Sequence, residues 1–164
     1  MAVQVAPAQV VTVPWPRNDR GALSSAKTGA SADLVAALAL ARRRGAAEAV
    51  LTDTTGHLCE ASSANVVLGV GGRLVTPALA PGVLAGVTRQ LLIDAMAASG
   101  HPIEERPVPA AQLAEADELF LLSTGRLVQP VSTVDGRRLP RCPGPLSEAA
   151  ARRWHEAYDG VVDP

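Results

Sequence analysis

The run Ala49-Val50-Leu51-Thr52-Asp53-Thr54-Thr55-Gly56-His57-Leu58-Cys59-Glu60-Ala61-Ser62-Ser63-Ala64-Asn65-Val66-Val67-Leu68-Gly69-Val70-Gly71-Gly72-Arg73-Leu74-Val75-Thr76 decides the fold. Short apolar segments alternate in it with turn-forming residues. Ala49 to Thr52 precedes the turn-like Asp53-Thr54-Thr55-Gly56, and His57 to Ala61 precedes Asn65 to Val70. A Gly71-Gly72 turn then leads into Arg73 to Thr76. That punctuation predicts an antiparallel meander.

Upstream, the first 20 residues set Val among polar residues and prolines and break at Pro14-Trp15-Pro16, which predicts a strand entering a turn. From Ser31 to Ala41, apolar Leu34, Val35, Leu38 and Ala41 recur at the spacing of one helix face. Arg42, Arg43 and Arg44 suit the negative helix end, and Gly45 is placed to stop it. Downstream, a second helix is expected from about Gly86 to Ser99, with Leu91, Leu92, Ala95 and Met96 on its apolar side and Gly100 as its stop. A strand from Ile103 to Val108, a helical piece around Ala110 to Ala116, a strand from Glu118 to Leu122 and a hairpin turning at Asp135-Gly136 complete the core. Ser147 to Tyr158 reads as a terminal helix. Strands segregated from two main helices indicate an α+β sheet domain over residues 1–146, with 147–164 as terminal helix and tail.

Composition narrows the function classes. A chain of 164 residues suits one domain with a sizeable core. The net charge of -1 comes from 16 acidic and 15 basic residues mixed along the chain, so no field of one sign would attract nucleic acid or an anionic membrane. Trp15, Phe120, Trp154 and Tyr158 are too few and scattered to stack bases. No stretch approaches the roughly 18 uninterrupted apolar residues of a membrane span, and no signal-peptide pattern opens the chain. The protein is expected to be soluble and cytoplasmic. Cys59 and Cys142 form no CxxC pair, and His57, His101 and His155 match no relay or ligand spacing, so no metal site is expected.

Lys27 is the only lysine beside 14 arginines, the remainder of the 15 basic residues. It is therefore the only side chain able to become a neutral amine and form a Schiff base with an aldehyde, because a guanidinium does not give up its proton. Gly86-Val87-Thr88 stands ahead of a helix whose first N–H groups are free, and such a terminus binds a phosphate dianion through those groups and its dipole. Gly86 allows the backbone to approach closely. Arg89 and Arg126 flank the candidate anion-binding segments and receive no role.

Four motifs in order carry a family resemblance: Ser25-Ala26-Lys27-Thr28; Gly56-His57-Leu58-Cys59-Glu60-Ala61-Ser62-Ser63-Ala64-Asn65; Pro81-Gly82-Val83-Leu84-Ala85-Gly86-Val87-Thr88-Arg89; and Leu122-Ser123-Thr124 with Gln129-Pro130-Val131. The chain resembles the fold-type IV pyridoxal-phosphate enzymes, which include branched-chain and D-amino-acid aminotransferases and aminodeoxychorismate lyase. The opening Pro14-Trp15-Pro16-Arg17-Asn18-Asp19-Arg20 leans toward the lyases.

The resemblance implies the large, mostly antiparallel pseudo-barrel domain of that family, flanked by helices, with pyridoxal 5'-phosphate as cofactor. It implies a small amino substrate and a homodimer. Lys27 would be the catalytic, Schiff-base residue. Glu60 would hold the pyridine nitrogen protonated, Leu84 would pack on the ring, and Gly86, Val87, Thr88 and Thr124 would hold the phosphate, with Asn65 structural. Lys27 is expected at the edge of a buried sheet, where burial favours the neutral amine. Only 26 residues precede Lys27, so the chain is read as lacking the small domain that complete members carry there. Ser31 and Leu34 stand where many relatives have an aromatic residue and an asparagine.

Overall fold

The computed structural model describes residues 5–29, 32–80 and 82–158. The described strands are β1 (Ala8–Thr12), β2 (Glu48–Thr52), β3 (Leu58–Ala61), β4 (Asn65–Val70), β5 (Arg73–Pro77), β6 (Ile103–Arg106), β7 (Glu118–Ser123), β8 (Leu127–Val134) and β9 (Arg137–Arg138). The helices are α1 (Ala32–Arg43), α2 (Val87–Ala98), α3 (Gln112–Glu115) and α4 (Pro145–Tyr158). Expected and observed elements agree to within a few residues. The expected helix start at Ser31, the first residue of the Pro81–Arg89 motif and the tail at 159–164 lie outside the described residues. Pro145 extends α4 ahead of the expected Ser147, since proline fits the first helical turn.

Among the described residues the strands form one sheet in the order β3-β2-β1-β8-β7-β4-β5-β6, with β9 paired to β8. The meander expectation holds for β2/β3 and β4/β5 and fails between β3 and β4. Those two meet only at an Ala61–Ala64 bridge, and β4 pairs with β7 instead. The cause is local: Ser62 and Ser63, two of the three residues between β3 and β4, direct their hydroxyls and the Ser63 N–H to the buried carboxylate of Glu48 on β2. Because only three residues connect a strand at one end of the sheet to an interior strand, the sheet has to curl. β1/β2, β5/β6 and β1/β8 are parallel, and the first two pairs are bridged by α1 and α2, as parallel pairing of consecutive strands requires. The architecture is α+β, a curled and mainly antiparallel sheet with helices outside.

Alternating side chains divide into separate cores, which explains why the strands read as continuous apolar runs. Val10, Val50, Val66, Leu68, Leu119 and Leu121 fill the inside of the curl. Val67, Phe120 and Leu122 point outward against Leu92 and Met96 of α2 and Trp154 of α4. Val11, Ala49 and Leu51 pack under Ala37 and Ala41 of α1. At about 1.5–3 kcal/mol per fully buried large apolar side chain, each layer is a substantial share of net stability.

Candidate functional site

A cavity of about 830 Å3 opens where loop β1–α1, the end of β3, the loop before α2 and the β7–β8 turn converge. Lys27, Glu60, Leu84, Gly86, Val87, Thr88 and Thr124 all line it, although they come from segments far apart in sequence. Lys27 departs from expectation. It is exposed and sits in an irregular loop after the turns at Gly21–Ala26 rather than on a sheet edge, because Ser24, Ser25 and Gly29 give that stretch no strand pattern. It still faces the cavity, and its charge acts on the Glu60 carboxylate.

Glu60, only 5% exposed, is the penultimate residue of β3. Its Oε2 accepts the Leu84 N–H at 3.0 Å, and the Arg17 Nε lies 3.6 Å from Oε1. Burial pushes its pKa up from 4.5, while the Leu84 N–H, Arg17 and Lys27 pull it down and Asp33 opposes them. Burial wins, so the carboxylate is undercompensated and favours a further positive partner.

Arg17 is a residue that the sequence reading quoted but gave no role. At 8% exposed, it donates from Nη1 to Asp33 Oδ2 on α1 at 2.5 Å and from Nε to the Gly82 carbonyl at 3.4 Å. It ties the entry loop, α1 and the loop before α2 to the Glu60 end of the cavity. Its only signal in the sequence was its place directly after the Pro14-Trp15-Pro16 turn; its partners, 16 to 65 positions away, carried none.

Gly86 is the N-cap of α2, with φ -70° and ψ 133°, and it provides no side-chain cap. The N–H groups of Val87 and Thr88 therefore begin the helix without an intrahelical acceptor. Val87 is 71% exposed at the cavity, whereas Thr88 is buried as the second helical residue rather than acting as the cap. The close approach at Gly86 is to Asn65: a Cβ there would lie 2.0 Å from Asn65 Oδ1. Asn65 Nδ2 in turn donates to the Leu84 carbonyl at 2.9 Å, fixing the loop that precedes the helix. Thr124 enters from the β7–β8 turn. Arg89 is buried away from the cavity, bonded to the Pro77 carbonyl and Glu105. His57 belongs to the Asp53–His57 turn, and no cluster of three or more His, Cys, Asp or Glu suited to a metal occurs among the described residues.

An amine, an undercompensated buried carboxylate, an uncapped helix start and a hydroxyl around one cavity form a donor set suited to a molecule with an aldehyde, a basic ring nitrogen and a phosphate. The same curled α+β fold occurs in aminotransferases of known structure. The chain belongs to the amino-transferase class IV family, whose model matches residues 2–134.

A probable branched-chain-amino-acid aminotransferase of Aquifex aeolicus is 31% identical over 152 residues, covering 90% of this chain and 49% of that protein. The bifunctional aminodeoxychorismate lyase / D-amino acid transaminase of Mycobacterium tuberculosis is 34% identical over 128 residues, covering 74% and 44%. The crystal structure of a branched-chain amino acid aminotransferase from Thermobaculum terrenum in its PLP form superimposes with a TM-score of 0.88 at 25% identity, over 96% of this chain and 52% of that one. The chain thus spans about half the length of these relatives.

Proposed function

We propose that this chain forms the cofactor-binding domain of a pyridoxal-phosphate-dependent enzyme acting at the Cα of a small amino substrate. The observation that carries this reading is the single amine sharing one cavity with a buried carboxylate and an uncapped helix start. When bound, pyridoxal phosphate supplies an aldehyde for an amine to capture and a ring that draws electrons from the substrate's Cα.

The residues divide the remaining work. Lys27 Nζ would hold the cofactor's aldehyde, and the same Nζ would carry a proton to or from the substrate's Cα. Glu60 keeps a proton on the ring nitrogen by offering it a carboxylate that lacks full compensation. Leu84 covers a ring face. Gly86 and the N–H groups of Val87 and Thr88 receive the phosphate with the helix dipole behind them, and the Thr124 hydroxyl closes the cup.

Within this chemistry, the finer reading is conversion of 4-amino-4-deoxychorismate to 4-aminobenzoate and pyruvate, a folate-precursor step, in a cytoplasmic homodimer. The Mycobacterium tuberculosis relative supports it. Branched-chain amino-acid transamination is the second reading, supported by the Aquifex relative, which matches over more of the chain.

Adding pyridoxal phosphate to the purified protein tests the common core. Wild type should turn yellow, and borohydride should then fix the cofactor's mass on the Lys27 peptide, whereas Lys27→Ala should do neither. A colourless wild type at saturating cofactor would leave only a binding or dimerisation scaffold. Release of 4-aminobenzoate with pyruvate, against formation of glutamate from leucine and 2-oxoglutarate, separates the two finer readings.

A further inference from the structure

The turn from β7 to β8, Ser123-Thr124-Gly125-Arg126, ends in a side chain to which the proposed function gives no task. Arg126 reaches back across the cavity wall to β2 and the β3–β4 connection. Its Nη2 donates to Glu48 Oε1 at 2.7 Å, to Ser63 Oγ at 2.6 Å and to the Ser63 carbonyl at 3.4 Å. Its Nε donates to Ser123 Oγ at 3.2 Å and its Nη1 to Gln129 Oε1 at 3.4 Å. The anchor is firm because the Glu48 side chain is 2% exposed and also accepts from Ser62 and Ser63.

Two further observations indicate that these bonds, rather than packing, hold the turn. Thr124, Gly125 and Arg126 line both the cavity of Glu60 and a second one of about 930 Å3 against α4, so open space lies on either side of them. The next residue, Leu127, has a φ of 52°, a conformation that bulky side chains keep only where the surroundings impose it.

We propose that Arg126 is a positioning residue: by clasping Glu48 and Ser63 it fixes the β7–β8 turn, and with it the Thr124 hydroxyl, at the anion-binding end of the cavity. The inference rests on the cofactor reading above in one respect, that Thr124 meets the phosphate. Arg126 itself acts through the turn, since most of its donors are already committed within the protein. A lysine in its place would keep the charge but could not serve acceptors spread across a plane.

The test compares the affinities of pyridoxal 5'-phosphate and pyridoxal, which differ only at the phosphate, for the full chain as wild type, Arg126→Ala, Arg126→Lys and the double variant Arg126→Ala with Glu48→Gln. Arg126→Ala should lose about tenfold of the preference for the phosphate form, the worth of roughly one hydrogen bond to a charged group, with pyridoxal affinity changed less than about twofold. Adding Glu48→Gln removes the orphaned buried charge, so it should restore the melting temperature without restoring that preference. The double variant also carries the test if Arg126→Ala alone does not fold. Full preference in Arg126→Ala or Arg126→Lys, or its return together with the melting temperature in the double variant, would overturn the proposal. A wild type with no preference for the phosphate form sinks the cofactor reading itself, whereas a preference unchanged by Arg126→Ala sinks this inference alone.

Discussion

At Glu60 two effects compete, and their balance sets how the residue responds to pH. Burial raises its pKa above 4.5, and the Leu84 N–H together with Arg17 and Lys27 recovers only part of the cost of ionisation. The native state therefore holds this proton more tightly than the unfolded chain does. Glu60's contribution to stability is complete below about pH 4.5 and is lost as pH rises through its native value. Glu60→Gln, which keeps an acceptor for the Leu84 N–H, should gain stability relative to wild type, by on the order of 1 kcal/mol, across that rise. Urea denaturation at a series of pH values measures it, and a difference independent of pH would contradict the account. Asp33 has the opposite sign: burial resists its ionisation, but Arg17 together with backbone hydrogen bonds from Leu34 and Asn18 outweighs burial and lowers its pKa from 3.8. Its contribution is present above pH 3.8 and disappears as pH falls through the depressed native value.

At the scale of elements, α2 depends on what precedes it. Gly86 has an ordinary φ, so its freedom from a side chain serves space rather than backbone conformation. A methyl group there meets Asn65 Oδ1 at 2.0 Å, and Asn65 cannot move without releasing Leu84. Gly86→Ala should therefore cost roughly 1–3 kcal/mol, as overpacking does, and Asn65→Ala in that background should regain part of the stability while the loop before α2 loosens. Chemical denaturation of the single and double variants decides; a neutral Gly86→Ala would refute the constraint. The other end of the fold has a comparable device. The buried Glu118 carboxylate accepts the N–H groups of Leu146 and Ser147 at 3.0 and 2.8 Å and so caps α4 from a distant strand. Such roles explain what the sequence could and could not yield. Helix spacing at Leu34–Ala41 and turn residues at Gly71-Gly72 act between near neighbours, so they were legible. Arg17, Glu48 and Glu118 read as ordinary charged letters because each side chain finds its partners 14 or more positions away. At Gly86 the expected close approach was to a phosphate; the demand for a missing side chain that the structure shows there comes from Asn65 Oδ1, a neighbour the local sequence does not reveal.

For the molecule as a whole, the family resemblance implied the pseudo-barrel, and the curled sheet agrees with it; the strand pattern alone did not yield the curl. Consecutive apolar runs looked like neighbours in a meander, yet burial on both faces of β4 and β7 already required layers inside and outside the sheet. The two cysteines offer a probe of this closure. Burial pushes the Cys59 thiol up to about 12, whereas Cys142 is half-buried with a smaller upward push from the same cause. Iodoacetamide should accordingly modify Cys142 first in the native protein and reach Cys59 only at the rate of global opening. Mass spectrometry of the two peptides over time checks the order, and equal rates would mean that the curl breathes locally.

β1 lies in the middle of the sheet, between β2 and β8, with Ala8 aligned to Val131. During synthesis, the earliest of the described strands to leave the ribosome must wait with one flank bare until nearly the last one emerges. Completion of the barrel-like wall is thus a late event that couples strands far apart along the chain, and contacts so distant make slow folding the natural outcome.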